Sequence, residues 1–236
     1  MFQNTAAGMP ANNAPSLNVP ALTRREAASR LALHLDGPHA LLPDELVTRP
    51  AADLVLSMLL LLTEGAERPV YARVTRGMLH AWDISEQEAF AMAEENAPRL
   101  LPPSLAVLSE ILQELAESGA MQSVSIEAPT PDETLARIFR GETPGCDLVL
   151  SNIHFRSGAA AMFYPGLLRR IAGVLGSDLY LLPSSVHEVI LVPVSIPATR
   201  LDLARTVQEI NRTVVREEDR LSDRVYVYRR ETDTFS

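Results

Sequence analysis

The sequence predicts an α+β protein: a largely antiparallel sheet of hairpins in the C-terminal half with helices packed on it, joined to a helix-rich N-terminal half. Three observations predict it. From residue 147 onward, short apolar runs come in pairs separated by turns, with helical patterns between the pairs. Hairpins placed between helices imply antiparallel pairing with helices on one face. Four helix starts carry a hydroxyl residue followed three positions later by an acid. The 236 residues are 47% hydrophobic and 22% charged, enough to bury a core in one large domain or two small ones. The expected division is a disordered leader over 1–20, a helix-rich part over 21–120 and an α+β part over 121–236, with one continuous domain over 21–236 as the alternative.

The first twenty residues are rich in Pro, Asn and Ala, with neither a basic start nor a central apolar block. They read as a floppy leader and not as a secretory signal. Thr23 and Glu26 open a helix expected to reach about His34, with Ala27, Ala28, Leu31 and Leu35 on one face. Residues 52–64 are apolar nearly all round and stop at Gly65, which predicts a central buried helix. Residues 69–75 alternate as a half-buried strand does. Ser85 and Glu88 open a helix ending near Asn96, Ala97 and Pro98, and Trp82, the only tryptophan, is expected to pack over its start. Residues 104–118 place Leu105, Leu108, Ile111, Leu112 and Leu115 on one helical stripe, with Pro102-Pro103 marking a candidate boundary before it.

Residues 121–127 alternate as a second short strand. Thr130, Pro131 and Glu133 open a short helix stopped by Gly141. Residues 147–152 and 158–164 read as a hairpin about the polar link 153–157, and Tyr164-Pro165-Gly166 launches a helix over 167–175. Residues 179–193 read as a second hairpin. Thr199 and Asp202 open the last helix, with Leu203, Val207, Ile210 and Val214 inward, and residues 224–228 close the chain as a strand. At each of the four starts the hydroxyl accepts a free first-turn amide and the acid favours the positive end of the helix dipole, worth about 1 kcal/mol per cap. A single echo, residues 91–96 against 206–211, is too slight to read as a duplication.

Composition excludes several functions. The net charge of −9 argues against nucleic-acid binding, which needs a basic face; Arg24-Arg25, Arg169-Arg170 and Arg229-Arg230 are local pairs at solvated edges. All 21 basic residues are arginine. No lysine amine is present for a Walker-type phosphate loop, a Schiff base or a kinase-type nucleotide contact. The longest apolar run, 51–62, falls short of the roughly 20 residues of a bilayer span, so no membrane role is expected. The single cysteine, Cys146, forbids an internal disulfide and makes a reducing cytoplasm the expected location.

One stretch has the ingredients of a hydrolase. Between two apolar runs, residues 183–188 are Pro-Ser-Ser-Val-His-Glu. If the second strand begins just after the turn, His187 and Glu188 face opposite sides of it. Ser185 and His187 share a face roughly 7 Å apart, beyond the roughly 2.6–3.2 Å of a nucleophile–base bond. No Gly-x-Ser-x-Gly elbow exposes a serine on a strained bend. The structural reading accounts for every residue: Pro183 presets a turn, Ser184 and Ser185 bond its amides, and His187 and Glu188 anchor the hairpin base. The catalytic alternative keeps Ser184 or Ser185 as nucleophile, His187 as base, and Glu188 or an acid from another segment as its orienter.

Other candidates are weaker. His34 and His39 flank a helix end and a turn, and His80 and His154 stand alone. No paired cysteines, His-Glu-x-x-His or calcium loop appears, so no metal site is expected, and without Gly-x-Gly-x-x-Gly no dinucleotide site either. Cys146 lacks a cationic neighbour and reads as an inert thiol. Glu94-Glu95 and Glu217-Glu218-Asp219 read as solvated acid runs.

Four segments carry a family likeness: residues 158–166 (GAAAMFYPG), 175–188 (LGSDLYLLPSSVHE), 221–226 (LSDRVY), and Trp82-Asp-Ile-Ser-Glu with Glu95-Asn96. On these the chain resembles an uncharacterised bacterial domain-of-unknown-function family associated with Gram-positive gut anaerobes, over about 36–235. The resemblance implies an intracellular α+β protein, marks the 183–188 turn as the family's recognisable feature, and brings no activity or cofactor. The expected function is a non-enzymatic cytoplasmic module that binds a protein partner or self-associates, with the 179–193 hairpin and the 224–228 strand as exposed recognition elements.

Overall fold

Local chemistry starts the helices as the sequence predicts. The computed structural model describes residues 22–63, 69–118, 128–183, 185–196, 199–213 and 215–236. The expected leader over 1–20, the 121–127 strand and Ser184 lie outside these. Thr23, Ser85 and Thr130 each accept the amide of the acid three residues on, and each acid returns a bond to the cap amide. They open α1 (Arg24–Ala28), α3 (Glu86–Leu100) and α5 (Pro131–Phe139). Thr199 and Asp202 exchange the same pair of bonds ahead of α7 (Arg200–Thr213). Trp82, at the end of α2 (Arg76–Trp82), is buried.

Two expected helices are strands. α1 stops at Ala28, and β1 (Leu31–Asp36) follows where the helix was expected to continue. The expected central helix over 52–64 is β3 (Leu54–Leu61). β3 pairs antiparallel with β1 along one edge, His34 opposite Ser57. Its other edge takes β2 (Thr48–Ala51) and then β4 (Tyr71–Arg73), a shorter form of the strand expected over 69–75. Leucine favours helices when exposed, but a short, continuous apolar run is equally suited to a strand buried on both faces. Burial decides: every residue of β1 is buried, and α3 lays Ala89, Phe90, Ala93 and Ala97 against the sheet.

The second sheet has six antiparallel strands. Its order is β10 (Thr234–Phe235), β9 (Tyr226–Arg229), β7 (Leu179–Leu182), β8 (Val189–Pro193), β6 (Leu148–Asn152) and β5 (Pro103–Val107). The 179–193 hairpin forms with Leu181 opposite Leu191. The helix expected over 104–118 is split: its first residues are β5, and α4 (Leu108–Ser118) begins only after them. Residues 158–164 are not a strand but a 3-10 turn (Gly158–Phe163), so β6 pairs with β5 and β8 and the expected 147–164 hairpin does not exist. Gly158, Ala159, Ala160 and Ala161 are buried there against β6 and β1; their small size lets the backbone itself pack. α6 (Leu167–Leu175) follows as expected.

The α+β class therefore holds, with helices against antiparallel sheet and the larger, six-stranded sheet drawn mainly from the C-terminal half. One core cluster draws on both halves, from Ala27 and Leu31 through Leu150 and Ile171 to Tyr228. The echo between α3 and α7 has a counterpart in contacts: Asn96 donates to the Ala28 carbonyl at 2.7 Å and Asn211 to the Ser222 carbonyl at 3.0 Å, each tying a helix to a distant segment. Among the described residues no helix is long and apolar enough to cross a membrane.

Candidate functional site

Pro183 and residues 185–186 run beside residues 219–222, brought there because β7 pairs with β9. Ser222 N–H donates to the Pro183 carbonyl, Val186 N–H to the Asp219 carbonyl, and Ser185 bridges Arg220. Strand β8 begins only at Val189, so His187 and Glu188 occupy the bend and not the pleated ribbon on which the sequence places them. The bend closes through the Ser185 hydroxyl oxygen, which accepts the His187 amide at 3.0 Å, as serine does in turns. Ser185 is buried.

Both imidazole nitrogens of His187 are engaged. Nδ1 accepts the backbone N–H of Ser157 at 3.3 Å, and Nε2 lies 3.4 Å from Asp219 Oδ1. A ring nitrogen that accepts carries no proton, so the neutral ring has its N–H at Nε2, facing the carboxylate. Among the described residues no serine hydroxyl bonds to the ring. The orienting acid is thus Asp219 from a short 3-10 turn (Glu217–Asp219), and not Glu188. Burial pushes the Glu188 carboxyl above the usual carboxylate range, against the opposing pull of His187 and Ser185.

The turn is also fastened from behind. The Ser151 hydroxyl donates to the His187 carbonyl at 2.7 Å. Fully buried Asn152 accepts the His154 amide and donates to the Arg156 carbonyl, shaping the 153–157 link in which Phe155 and Ser157 are left-handed. Gly158 lies so close that a Cβ there would be 2.2 Å from Ser151 Oγ and 2.5 Å from the His187 oxygen. Sequence reasoning missed Asp219, Ser151, Asn152 and Ser157. Asp219 was submerged in an acid run; the polar Ser151-Asn152 pair ahead of Gly158 was the one available hint.

A cavity of about 1590 Å³ is lined by most of the 217–224 segment, with Val186 of the turn on its wall. The 37–42 loop forms one wall and α7 another, through Arg205, Gln208, Glu209 and Arg212, a stripe at helical spacing. Gly37 lets the loop close onto the base, since a Cβ there would be 2.6 Å from the Arg220 carbonyl. At the base, Asp53 accepts from Ser222 and Tyr226 and lies 3.6 Å from Arg224.

Asp36, also on this cavity, anchors a second polar cluster. Arg73 grips its carboxylate with two bonds of 3.0 and 2.7 Å, Ser57 donates at 2.6 Å, and His34 Nε2 lies 3.3 Å away. Burial alone would raise this carboxyl, but His34, Ser57 and Arg73 outweigh it and hold it at about 2. His34 is therefore a strand residue of a buried network and not a helix-end histidine, and the Ser57 proton is committed to the carboxylate. Burial, aided by Asp147, pushes the Cys146 thiol up, away from nucleophilic use. Among the described residues no group of three or more His, Cys, Asp or Glu is arranged to hold a metal. β9 is buried at Tyr226, Val227 and Tyr228 and enclosed by β7 and β10, so it is not the exposed recognition strand the sequence suggests.

The model of a family of unknown function, DUF5688, matches residues 40–230. The chain belongs to the DUF5688 family. The DUF5688 match takes in the 183–188 turn, the residues that fasten it and most of the cavity lining, while α1 and β1 precede it. Comparison with curated proteins and with solved structures finds no match.

Proposed function

We propose that this DUF5688 protein is a non-enzymatic binding module whose contact surface is the groove between the 37–42 loop, α7 and the 217–224 segment. The observation that carries this reading is the commitment of the His187 imidazole: one nitrogen holds a backbone amide and the other faces a carboxylate, and among the described residues no serine hydroxyl bonds to the ring. The turn then acts as a fastener that fixes the 217–224 wall, and the groove supplies the surface. Its volume exceeds that of most small-molecule pockets, which span about 300–1,000 Å³, and suits a segment of protein chain.

The test is site-specific photo-crosslinking in cells. A crosslinker at Leu41, 99% exposed on the groove rim, is expected to capture a discrete protein or a second copy of this chain. One at Phe139, 83% exposed on α5 and away from the groove, is expected to capture neither. Equal, diffuse labelling from both positions would count against the reading. The His187–Asp219 pair is the observation favouring the hydrolytic alternative, for which a fluorophosphonate probe is the direct assay. Labelling of the native protein that Ser185→Ala or Ser184→Ala abolishes would establish that alternative.

A further inference from the structure

One acceptor beside the groove lacks a donor among the described residues. Asn211 lines the groove and is 3% exposed. The orientation of its amide is fixed, because Nδ2 donates to the Ser222 carbonyl at 3.0 Å and to Asp223 Oδ1 at 2.7 Å, and the flipped amide would set oxygen against oxygen. Its Oδ1 is buried and has no donor among the described residues. An acceptor withheld from water and left without a donor is costly, and Asn211 is among the residues that line the groove. Asp36 and Asp53 line the same cavity, their carboxylates held by Arg73 and Ser57 and by Ser222 and Tyr226.

Charge points the same way. Six carboxylates and four guanidinium groups line the groove. Two of the six carboxylates are already paired, Asp36 with Arg73 and Asp53 with Arg224 at 3.6 Å, and Arg220 donates to the Val215 carbonyl at 3.2 Å, which leaves four carboxylates against three guanidinium groups. Glu209, Glu217 and Glu218 make no ion pair among the described residues. The chain as a whole carries −9, which draws cations from a distance. The geometry points to a basic, donor-rich occupant: a partner segment that places an arginine or lysine side chain against the Asn211 end of the groove, its charge facing Glu209, Glu217 and Glu218. This rests on the binding-module reading and adds the chemistry of the partner.

Fluorescence anisotropy with labelled tetra-arginine, tetra-lysine, tetra-glutamate and tetraglycine peptides tests it on the full chain. The two basic peptides are expected to bind at least about tenfold more tightly than the other two, weakening as salt rises through the physiological range. The doubly substituted Glu217→Gln/Glu218→Gln protein, altered only at exposed positions, is expected to lose most of that preference. Asn211→Leu is expected to lose affinity for the basic peptides at low and high salt alike; if it melts early, the exposed pair alone decides. Preferential binding of tetra-glutamate through Arg205 and Arg212 overturns the inference, and so does equal affinity for all four peptides. Crosslinking from Leu41 separates the two failures. A discrete captured protein with no basic preference leaves the module and removes the basic partner, whereas no capture and no peptide binding remove both.

Discussion

Replacing Gly158 by alanine tests whether the 183–188 turn is held as described. The added methyl carbon would lie 2.2 Å from Ser151 Oγ, 2.5 Å from the His187 carbonyl oxygen and 2.7 Å from the Asn152 nitrogen. Ordinary contacts of this kind are roughly 3.5 Å, so two backbone neighbours must retreat by about 1 Å. The serine hydroxyl can rotate away, but only by giving up its bond to the His187 carbonyl. Overpacking costs about 1–3 kcal/mol, and leaving the carbonyl without its donor costs about 1–3 kcal/mol more. A total near 4 kcal/mol corresponds to a melting-point drop of about 8–16 °C for a chain of this size. Circular-dichroism melts and urea titrations read it directly. Gly173→Ala, at a helical position where an added Cβ meets nothing within 4 Å, is the control and should gain about 0.5–1 kcal/mol. A Gly158→Ala protein melting within about 2 °C of the parent would refute the packing argument and with it the fastening of His187.

Three further outcomes follow from the same geometry. Thr130→Ala and Ser85→Ala should each cost about 1 kcal/mol in urea unfolding and add nearly independently, because the two caps share no partner. Asp36 is held at about 2, below its ordinary 3.8, so its contribution of about 2 kcal/mol is complete above pH 3.8 or so and is lost as pH falls toward 2. Asp36→Asn should flatten that acid limb and destabilise the protein at neutral pH by about 3–5 kcal/mol, since Arg73 is left without its partner. Glu188 has the opposite sign: burial raises its carboxyl, so stability falls as pH rises from its unfolded value through its folded one. Glu188→Gln should remove that decline, and calorimetric melts at pH 4 and pH 7 with parent and variant check it.

What was legible in the sequence was local. The caps at Thr23, Ser85, Thr130 and Thr199 involve residues three apart, so spacing alone reveals them, and all four form their expected bonds. The 179–193 hairpin was legible because its turn chemistry and apolar flanks adjoin. β1 and β3 were misread for a physical reason: leucine-rich runs satisfy helix and strand patterns alike. The alternation of Leu31, Leu33 and Leu35 with Ala32, His34 and Asp36 was nonetheless visible, and two polar residues at a spacing of two belong on one face of a strand. Residues 158–163 were misread because small residues look like strand filler, whereas their size serves backbone contact. The fastening of His187 was illegible, since Ser157 and Asp219 are 30 and 32 positions away and only strand pairing brings them to it.

Because Ser151, Gly158, His187 and Asp219 tie three remote stretches of backbone at one point, substitutions there lower the amount of folded protein whatever the molecule engages. Phenotypes there will report how much intact protein a cell retains. Changes along Arg205, Glu209 and Glu217 that leave melting untouched are the ones whose phenotypes will speak about recognition.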